Sequence, residues 1–436
     1  MKSRTSFALG FLALIAVGAV VLMMPFCRAD NMRGDFMTSL FTACSAVCVT
    51  GLTVVDVGRE FSTAGQVVLM ALVELGCLGL MTCGTFFLIA IGRRLSLARE
   101  FSLMNAYGVE QIQGLRGLIC WVVGSMLVIE GLFAAALYPH FDSWYEAVFY
   151  SIMSFCNAGF GLESDSLASF PRGWPVILMG VETVLGGIGF LVIYNLCTFK
   201  FHHRISGARG RLSLHTRVVL RFTFYLLALA FVAFLAVEWD LSLRGMSLAD
   251  KAVVGFYQAV TPRTCGFCIV PTETLHPLTQ LVYECLMFIG GAPGSAAAGM
   301  KVTTLAVILY TTTAMCRGET ETVMDGRAIP TEIVRESLVI LMAIVMFAVV
   351  VAGALFVTES GRGMSSDALF FEAVSAVTTT GLAVGDTTAS LSAAGRVVVM
   401  IARFIGRLGA LTVVLMIGDR ESKRHVRFPS EEIVVG

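Results

Sequence analysis

The sequence predicts an all-α integral membrane protein of four tandem units, each a helix, a half-helix, a glycine turn and a second helix, set around a pseudo-fourfold central axis. Three observations predict it: the chain is too apolar for water, long apolar stretches recur along it, and one short motif returns four times in one register.

Of 436 residues, 56% are hydrophobic and 14% charged, and the mean hydropathy is +0.81. Soluble domains carry about a quarter charged residues, so this chain belongs in lipid. A membrane helix needs about 20 apolar residues. Eight stretches qualify: Ser6 to Phe26, Gly65 to Ile91, Gly117 to Tyr138, Val176 to Phe199, Val218 to Val237, Leu278 to Ala314, Ser337 to Val357 and Val397 to Ile417. The first follows Lys2 and Arg4 as a signal peptide would, but no small-x-small cleavage site stands near Cys27, so it is expected to stay as a helix.

Segments 1–5, 92–116, 199–221, 315–335 and 418–436 hold most of the loop Lys and Arg. The positive-inside rule then predicts a multi-pass protein of the cytoplasmic (inner) membrane with both termini cytoplasmic. Acidic residues outnumber basic ones in the opposite loops, predicting a negative outer mouth that concentrates cations. Twelve cysteines, mostly inside apolar spans, imply no disulfide framework.

The repeat is clearest between residues 41–56 (FTACSAVCVTGLTVVD) and 371–386 (FEAVSAVTTTGLAVGD), identical at ten of sixteen positions. The match continues through Gly76 and Gly406, Gly79 and Gly409, to Thr82 and Thr412. Fainter copies lie at FYSIMSFCNAGF (149–160) and FYQAVTPRTCGF (256–267). In every copy a Phe stands ten residues before a Gly: Phe41 and Gly51, Phe149 and Gly159, Phe256 and Gly266, Phe371 and Gly381. The units divide the chain at 1–95, 96–205, 206–320 and 321–436.

A segment this short cannot cross a bilayer at about 1.5 Å per residue; it must enter and return. Irregular backbone at membrane depth is tolerated where protein buries it or where it lines a watery cavity. A single such glycine reads as an ordinary helix C-cap, whereas four in one register read as turns meeting on an axis. Backbone carbonyls aimed at that axis can replace a cation's hydration shell. The half-helices add their negative dipole ends. The lining is then Val49, Thr50, Gly51; Asn157, Ala158, Gly159; Thr264, Cys265, Gly266; and Thr379, Thr380, Gly381. Their side chains differ widely, which fits coordination by backbone and argues against a side-chain metal cage.

This arrangement of membrane helix, pore helix, filter and membrane helix, four times in one chain, resembles the Trk/Ktr/HKT superfamily over nearly the whole sequence. Filters of that family carry one glycine per repeat, as at Gly51, Gly159, Gly266 and Gly381. A serine in place of the first marks sodium-selective plant members, so Gly51 favours potassium. The chain most resembles KtrB-type members, because its first hairpin begins almost at Met1, where TrkH-type members carry two further helices. The resemblance implies potassium uptake, a homodimer, a cytoplasmic ring of nucleotide-binding (RCK-type) regulatory subunits, and often sodium as an activator. No cofactor in this chain and no nucleic-acid partner are expected.

Residues 290–301 (GGAPGSAAAGMK) interrupt a long apolar span with glycines and a proline, poor helix formers. They predict a break beneath the turns; close packing through small residues is the other reading. The segment resembles the family's intramembrane gating loop, with Ala292 and Ala296 to Ala298 as departures. Gly290, Gly291, Pro293, Gly294, Ser295, Gly299, Lys301 and Arg407 are the gate candidates. Arg407 lies inside an apolar span, where an unpaired charge costs about 2.5 to 3.5 kcal/mol or more. Its partners are expected to be carbonyls of that loop, the family's role for an arginine here; pairing with Glu74 or Glu284 is the alternative. Lys301 either does the same or snorkels to the surface. Glu130 reads as a packing anchor bonded to neighbouring backbone.

Catalysis is set aside. Ser295 has no base, because all six histidines (His140, His202, His203, His215, His276, His425) read as loop or tail residues, and the Cys265 to Cys268 spacing lacks a thioredoxin-like context. A midplane-site secondary transporter would show two inverted halves rather than four same-sense units. A sodium-conducting or TrkH-type relative stays open.

Overall fold

The structure is a computed structural model and describes residues 2–79, 115–206 and 212–409. The 95/96 boundary, the ends of the second and eighth apolar stretches, the Thr82 and Thr412 pair, the basic segment 92–114 and the tail 418–436 lie outside the described residues.

Among the described residues the regular structure is helical apart from one antiparallel two-stranded hairpin, β1 (Val323–Met324) and β2 (Arg327–Ala328). The first unit runs α1 (Lys2–Leu22), α2 (Phe36–Val47), the short α3 (Val57–Glu60) and α4 (Thr63–Leu78). The second runs α5 (Leu115–Leu137), α6 (Trp144–Phe155), α7 (Trp174–Ile188) and α8 (Phe190–Ser206). The third runs α9 (Leu214–Glu238), α10 (Leu248–Val260), α11 (Pro277–Met287) and α12 (Val302–Cys316). After the hairpin come α13 (Thr331–Thr358), α14 (Ser366–Thr378), α15 (Thr387–Ser390) and α16 (Ala393–Leu408). Among the described residues three helices are long and apolar enough to cross a membrane, and the bent pair α7 and α8 can make a fourth.

The half-helices α2, α6, α10 and α14 start in the same way. Asp35, Ser143, Ser247 and Ser365 each accept a bond from a first-turn amide, at 2.9, 3.3, 3.1 and 3.2 Å respectively. Such caps satisfy donors that a helix start leaves free. Each half-helix packs against the preceding long helix, α2 on α1, α6 on α5, α10 on α9 and α14 on α13. Phe41, Phe149 and Phe371 of the ten-residue spacing are fully buried; Phe256 is only half-buried, and its neighbour Tyr257 takes the core place.

Two long helices end on a buried glutamate that holds the start of the helix that follows the glycine turn of the same unit, α11 after α9 and α16 after α13. Glu238 accepts from the His276 amide at 2.9 Å and the Thr279 hydroxyl at 2.6 Å. Glu359 accepts from the Ser392 amide at 3.1 Å and its hydroxyl at 2.5 Å. An acid at a helix N-terminus also meets the positive end of its dipole.

One expected span is not a single helix. The stretch Val176 to Phe199 bends by 94° between α7 and α8. Gly189 makes the break with φ +91°, and a Cβ there would stand 2.9 Å from the Pro293 carbonyl oxygen. Glycines close α4 and α16 at the same register, Gly79 at φ +77° and Gly409 at φ +86°. The histidine reading also needs amendment: His202 and His203 lie on α8, His215 opens α9, and His276 caps α11. His140 sits in a one-turn 3-10 segment, and His425 is outside the described residues.

Candidate functional site

The four glycine turns meet. A Cβ on Gly159 would lie 2.8 Å from the Cys265 carbonyl oxygen, and one on Gly266 would lie 2.9 Å from that of Thr380. On Gly51 it would collide with the Ala158 carbonyl, and on Gly381 with that of Thr50. Each glycine therefore abuts the residue that precedes the glycine of the next unit, in the order 1, 2, 3, 4 and back to 1.

The backbone of the turns repeats as well. The glycines have φ of +90°, +70°, +81° and +90°, and the residues two places earlier, Val49, Asn157, Thr264 and Thr379, have φ of +54°, +57°, +69° and +53°. The residue between, Thr50, Ala158, Cys265 or Thr380, is not left-handed. Residues of alternating hand allow successive carbonyls to face the same side. Three half-helices reach it through a Schellman ending, in which the Thr50, Ala158 and Thr380 amides donate five residues back to Ser45, Met153 and Ser375 at 2.8, 2.8 and 2.9 Å. The left-handed residue of the motif thus falls on Val49, Asn157 and Thr379, and the glycine is a further residue turned for the ring rather than for the helix ending. The third turn differs, with Cys265 donating to Thr261 at 3.1 Å.

Above the ring opens a vestibule of about 400 Å³, lined by all four glycines and by Asp56, Glu163, Asp165, Glu273 and Asp386, with no basic residue in its wall among the described residues. Neighbouring units are stitched around it. Ser164 donates to Asp56 at 2.5 Å, the Cys268 amide to Ser166 at 3.1 Å, and the Gly385 amide to Glu273 at 3.1 Å.

Below lies the segment 290–301, non-helical throughout and closed at its base where the Gly290 amide bonds the Met300 carbonyl at 2.9 Å. It is seated on the break in the second unit: Ala292 and Ala296 amides donate to Gly187 and Gly186 at 2.9 and 3.2 Å, and the Phe190 amide donates to Gly294 at 3.0 Å. Within it, Gly291 crowds the Gly187 carbonyl and Gly299 has φ +69°. Arg407 reaches it from α16, donating to the Ala296 carbonyl at 2.6 Å and to Gly76 of the first unit at 2.8 Å. Lys301 donates to Ala297 at 2.7 Å, so it turns into the loop. Ser295 donates to Ala292 at 2.6 Å.

Some of what the structure brings here escaped the sequence. Arg263, one residue before the third turn, is buried and donates to the Gly290 carbonyl at 3.1 Å, joining turn and loop directly. Arg403 is fully buried one turn before Arg407; a charge in an apolar span was the same signal that marked Arg407. Glu130 departs from its expected backbone partner: its carboxylate accepts from the Cys156 thiol at 3.8 Å, while Ser151 bonds the Glu130 carbonyl and Glu182.

Comparison with known proteins agrees on the kind of molecule. The potassium/sodium uptake protein NtpJ of Enterococcus hirae is 32% identical over 98% of this chain and 96% of its own. The Ktr system potassium uptake protein B of Bacillus subtilis is likewise 32% identical, with the same shares covered. The crystal structure of the potassium transporter TrkH from Vibrio parahaemolyticus has the same fold, with TM-score 0.76 at 18% identity over 96% of this chain and 85% of that one. Residues 11–426 match the family TrkH, described as cation transport protein, which is a family of transporters and not of enzymes. The chain therefore belongs to the TrkH cation transport family, as a multi-pass membrane protein.

Proposed function

We propose that this protein takes up potassium across the cytoplasmic membrane through a central pore, whose filter is the ring of twelve residues at 49–51, 157–159, 264–266 and 379–381. The observation that carries this is the cyclic contact of the four glycines with the same alternation of backbone hand in every unit. Carbonyls so aligned can replace potassium's hydration shell. The acidic vestibule supplies the ion and the 290–301 loop, held by Arg407, occludes the exit.

The four units, 1–95, 96–205, 206–320 and 321–436, surround the pore as pseudo-fourfold repeats, with both termini cytoplasmic. Relatives named as Ktr system uptake proteins support a multi-component assembly, here a homodimer on a nucleotide-binding regulatory ring, with sodium as activator. The relative named for potassium and sodium uptake favours sodium conduction as a second reading.

The test is ion uptake in a cell lacking its own potassium systems, with and without sodium. Gly51→Ser puts a Cβ onto the Ala158 carbonyl, so discrimination of potassium over sodium should fall about tenfold or more. Unchanged selectivity would sink the filter assignment, and uptake of sodium alone by the unaltered protein would sink the potassium reading.

A further inference from the structure

Arg403 obeys neither habit of an intramembrane arginine. It does not snorkel to a surface, being 0% exposed. None of its three guanidinium nitrogens meets a hydrogen-bond acceptor of the protein. Instead the guanidinium carbon sits 3.9 Å from the centroid of the Phe41 ring, a cation–π seat. Phe41 belongs to the half-helix that leads to the first turn, and α16 packs against both α2 and α14.

The second charge is Glu372 on α14, also 0% exposed. One of its oxygens accepts from Thr388 at 2.8 Å, and the other meets no donor of the protein. The helices that carry the two groups, α14 and α16, pack against each other, and no direct hydrogen bond joins Glu372 to Arg403. The repeat register locates the pair relative to the ring. Thr183 stands three residues before Gly186, as Arg403 stands three before Gly406, and Gly186 and Gly406 each abut the carbonyl four residues before a ring glycine. Thr183 touches the thiol of Cys265, a turn residue of the following unit, at 3.6 Å. The same register sets Arg403 behind the first turn, where Thr50 and Ser45 have buried hydroxyls. At this register the first unit has Val73 and the second has Thr183, both uncharged.

We propose that Arg403 is a positioning residue of the filter: seated on Phe41 and balanced by Glu372, it locks the fourth half-helix to the first and sets the field behind the Gly51 turn, tuning how tightly the ring holds its cation. This rests on the reading of the turns as a filter. The balance is what matters. A buried positive charge weakens cation binding and a buried negative one strengthens it, and in a medium of low polarity either alone acts at full strength.

The two charges therefore make predictions of opposite sign. In potassium uptake assays on full-length protein, Arg403→Met should lower KM about tenfold and lower the maximal rate, because Glu372 is left unbalanced and the ion leaves slowly. Glu372→Gln should raise KM about tenfold. The double variant Arg403→Met/Glu372→Gln, and Arg403→Lys alone, should return KM to within about twofold of the unaltered protein. Shifts of one sign in both single variants, or a double variant no better than the worse single, would overturn the pair. So would loss of folded protein, read by size exclusion in detergent, from the double variant as well as the single, since a neutral pair would then fail as badly as an unbalanced one. Gly51→Ser run alongside separates the layers. If it alters selectivity while Arg403→Met keeps the KM of the unaltered protein, the pair alone is wrong; if it too is silent, the filter reading falls and the proposal with it.

Discussion

At Val49, Thr264 and Thr379 the ring asks β-branched residues to adopt φ between +53° and +69°. Side chains of that kind avoid this region, and each instance costs about 1–3 kcal/mol. The strain persists because the turns are buried and braced on both sides, by half-helix endings and by the next unit's backbone. This explains what the sequence could not reveal. Glycine spacing marked the turns, but no propensity rule places a valine in a left-handed cap, so the second turned residue was invisible until the backbone was in view. Asn157, which tolerates that conformation, is the one residue of the four that hinted at it. Arg263 was hidden for another reason: it reads as an ordinary outer-loop cation until the fold brings the 290–301 loop beneath it. Its bond to Gly290 ties the third turn to that loop, which under the proposed function couples ion selection to occlusion. Arg263→Met removes a charged hydrogen bond worth about 1.5–3 kcal/mol. Potassium uptake should accelerate about tenfold with some loss of discrimination over sodium, as measured by paired flux assays; an unchanged rate would show that the bond does not hold the loop.

Among the elements, the half-helices were legible because a Phe recurs ten residues before a Gly in all four units. The second long helix of each unit was legible only in part. The glycines and proline of 290–301 announced a break, while the break at Gly189 passed unnoticed in an apolar run that hydropathy alone cannot divide. The pairing of Gly79 with Gly409 carried that signal, since the second unit has its own glycine at the same register. The consequence is that the 290–301 loop has a counterpart: Gly186, Gly187 and Phe190 bind it by three backbone bonds. Gly189→Ala forces a Cβ toward the Pro293 oxygen at a φ that alanine resists. It should unseat the loop and raise uptake several-fold, as should deletion of several residues between Gly290 and Gly299. A silent outcome in both would refute the loop as the barrier.

Across the whole molecule the asymmetry of charge was foreseen from loop composition, and the vestibule gives it a location. Glu163, Asp165 and Asp386 stand exposed in its wall with no basic neighbour there. Exposed charges act over about 10 Å at 0.1 M salt and less as salt rises. Replacing these three by neutral amides should raise the KM for potassium about threefold in dilute buffer and leave it unchanged at high ionic strength. Uptake titrations at two concentrations of choline chloride would check this, and an effect independent of salt would point to direct ligation instead.

The ring of contacts closes between Gly381 and the Thr50 carbonyl, the first unit meeting the last. During synthesis the opening turns are made early and must wait for the fourth. At roughly 5–20 residues per second, the interval from Thr50 to Gly381 lasts on the order of 15 to 65 s. Under the proposed function, three corners of a ring leave the filter incomplete until the fourth turn arrives.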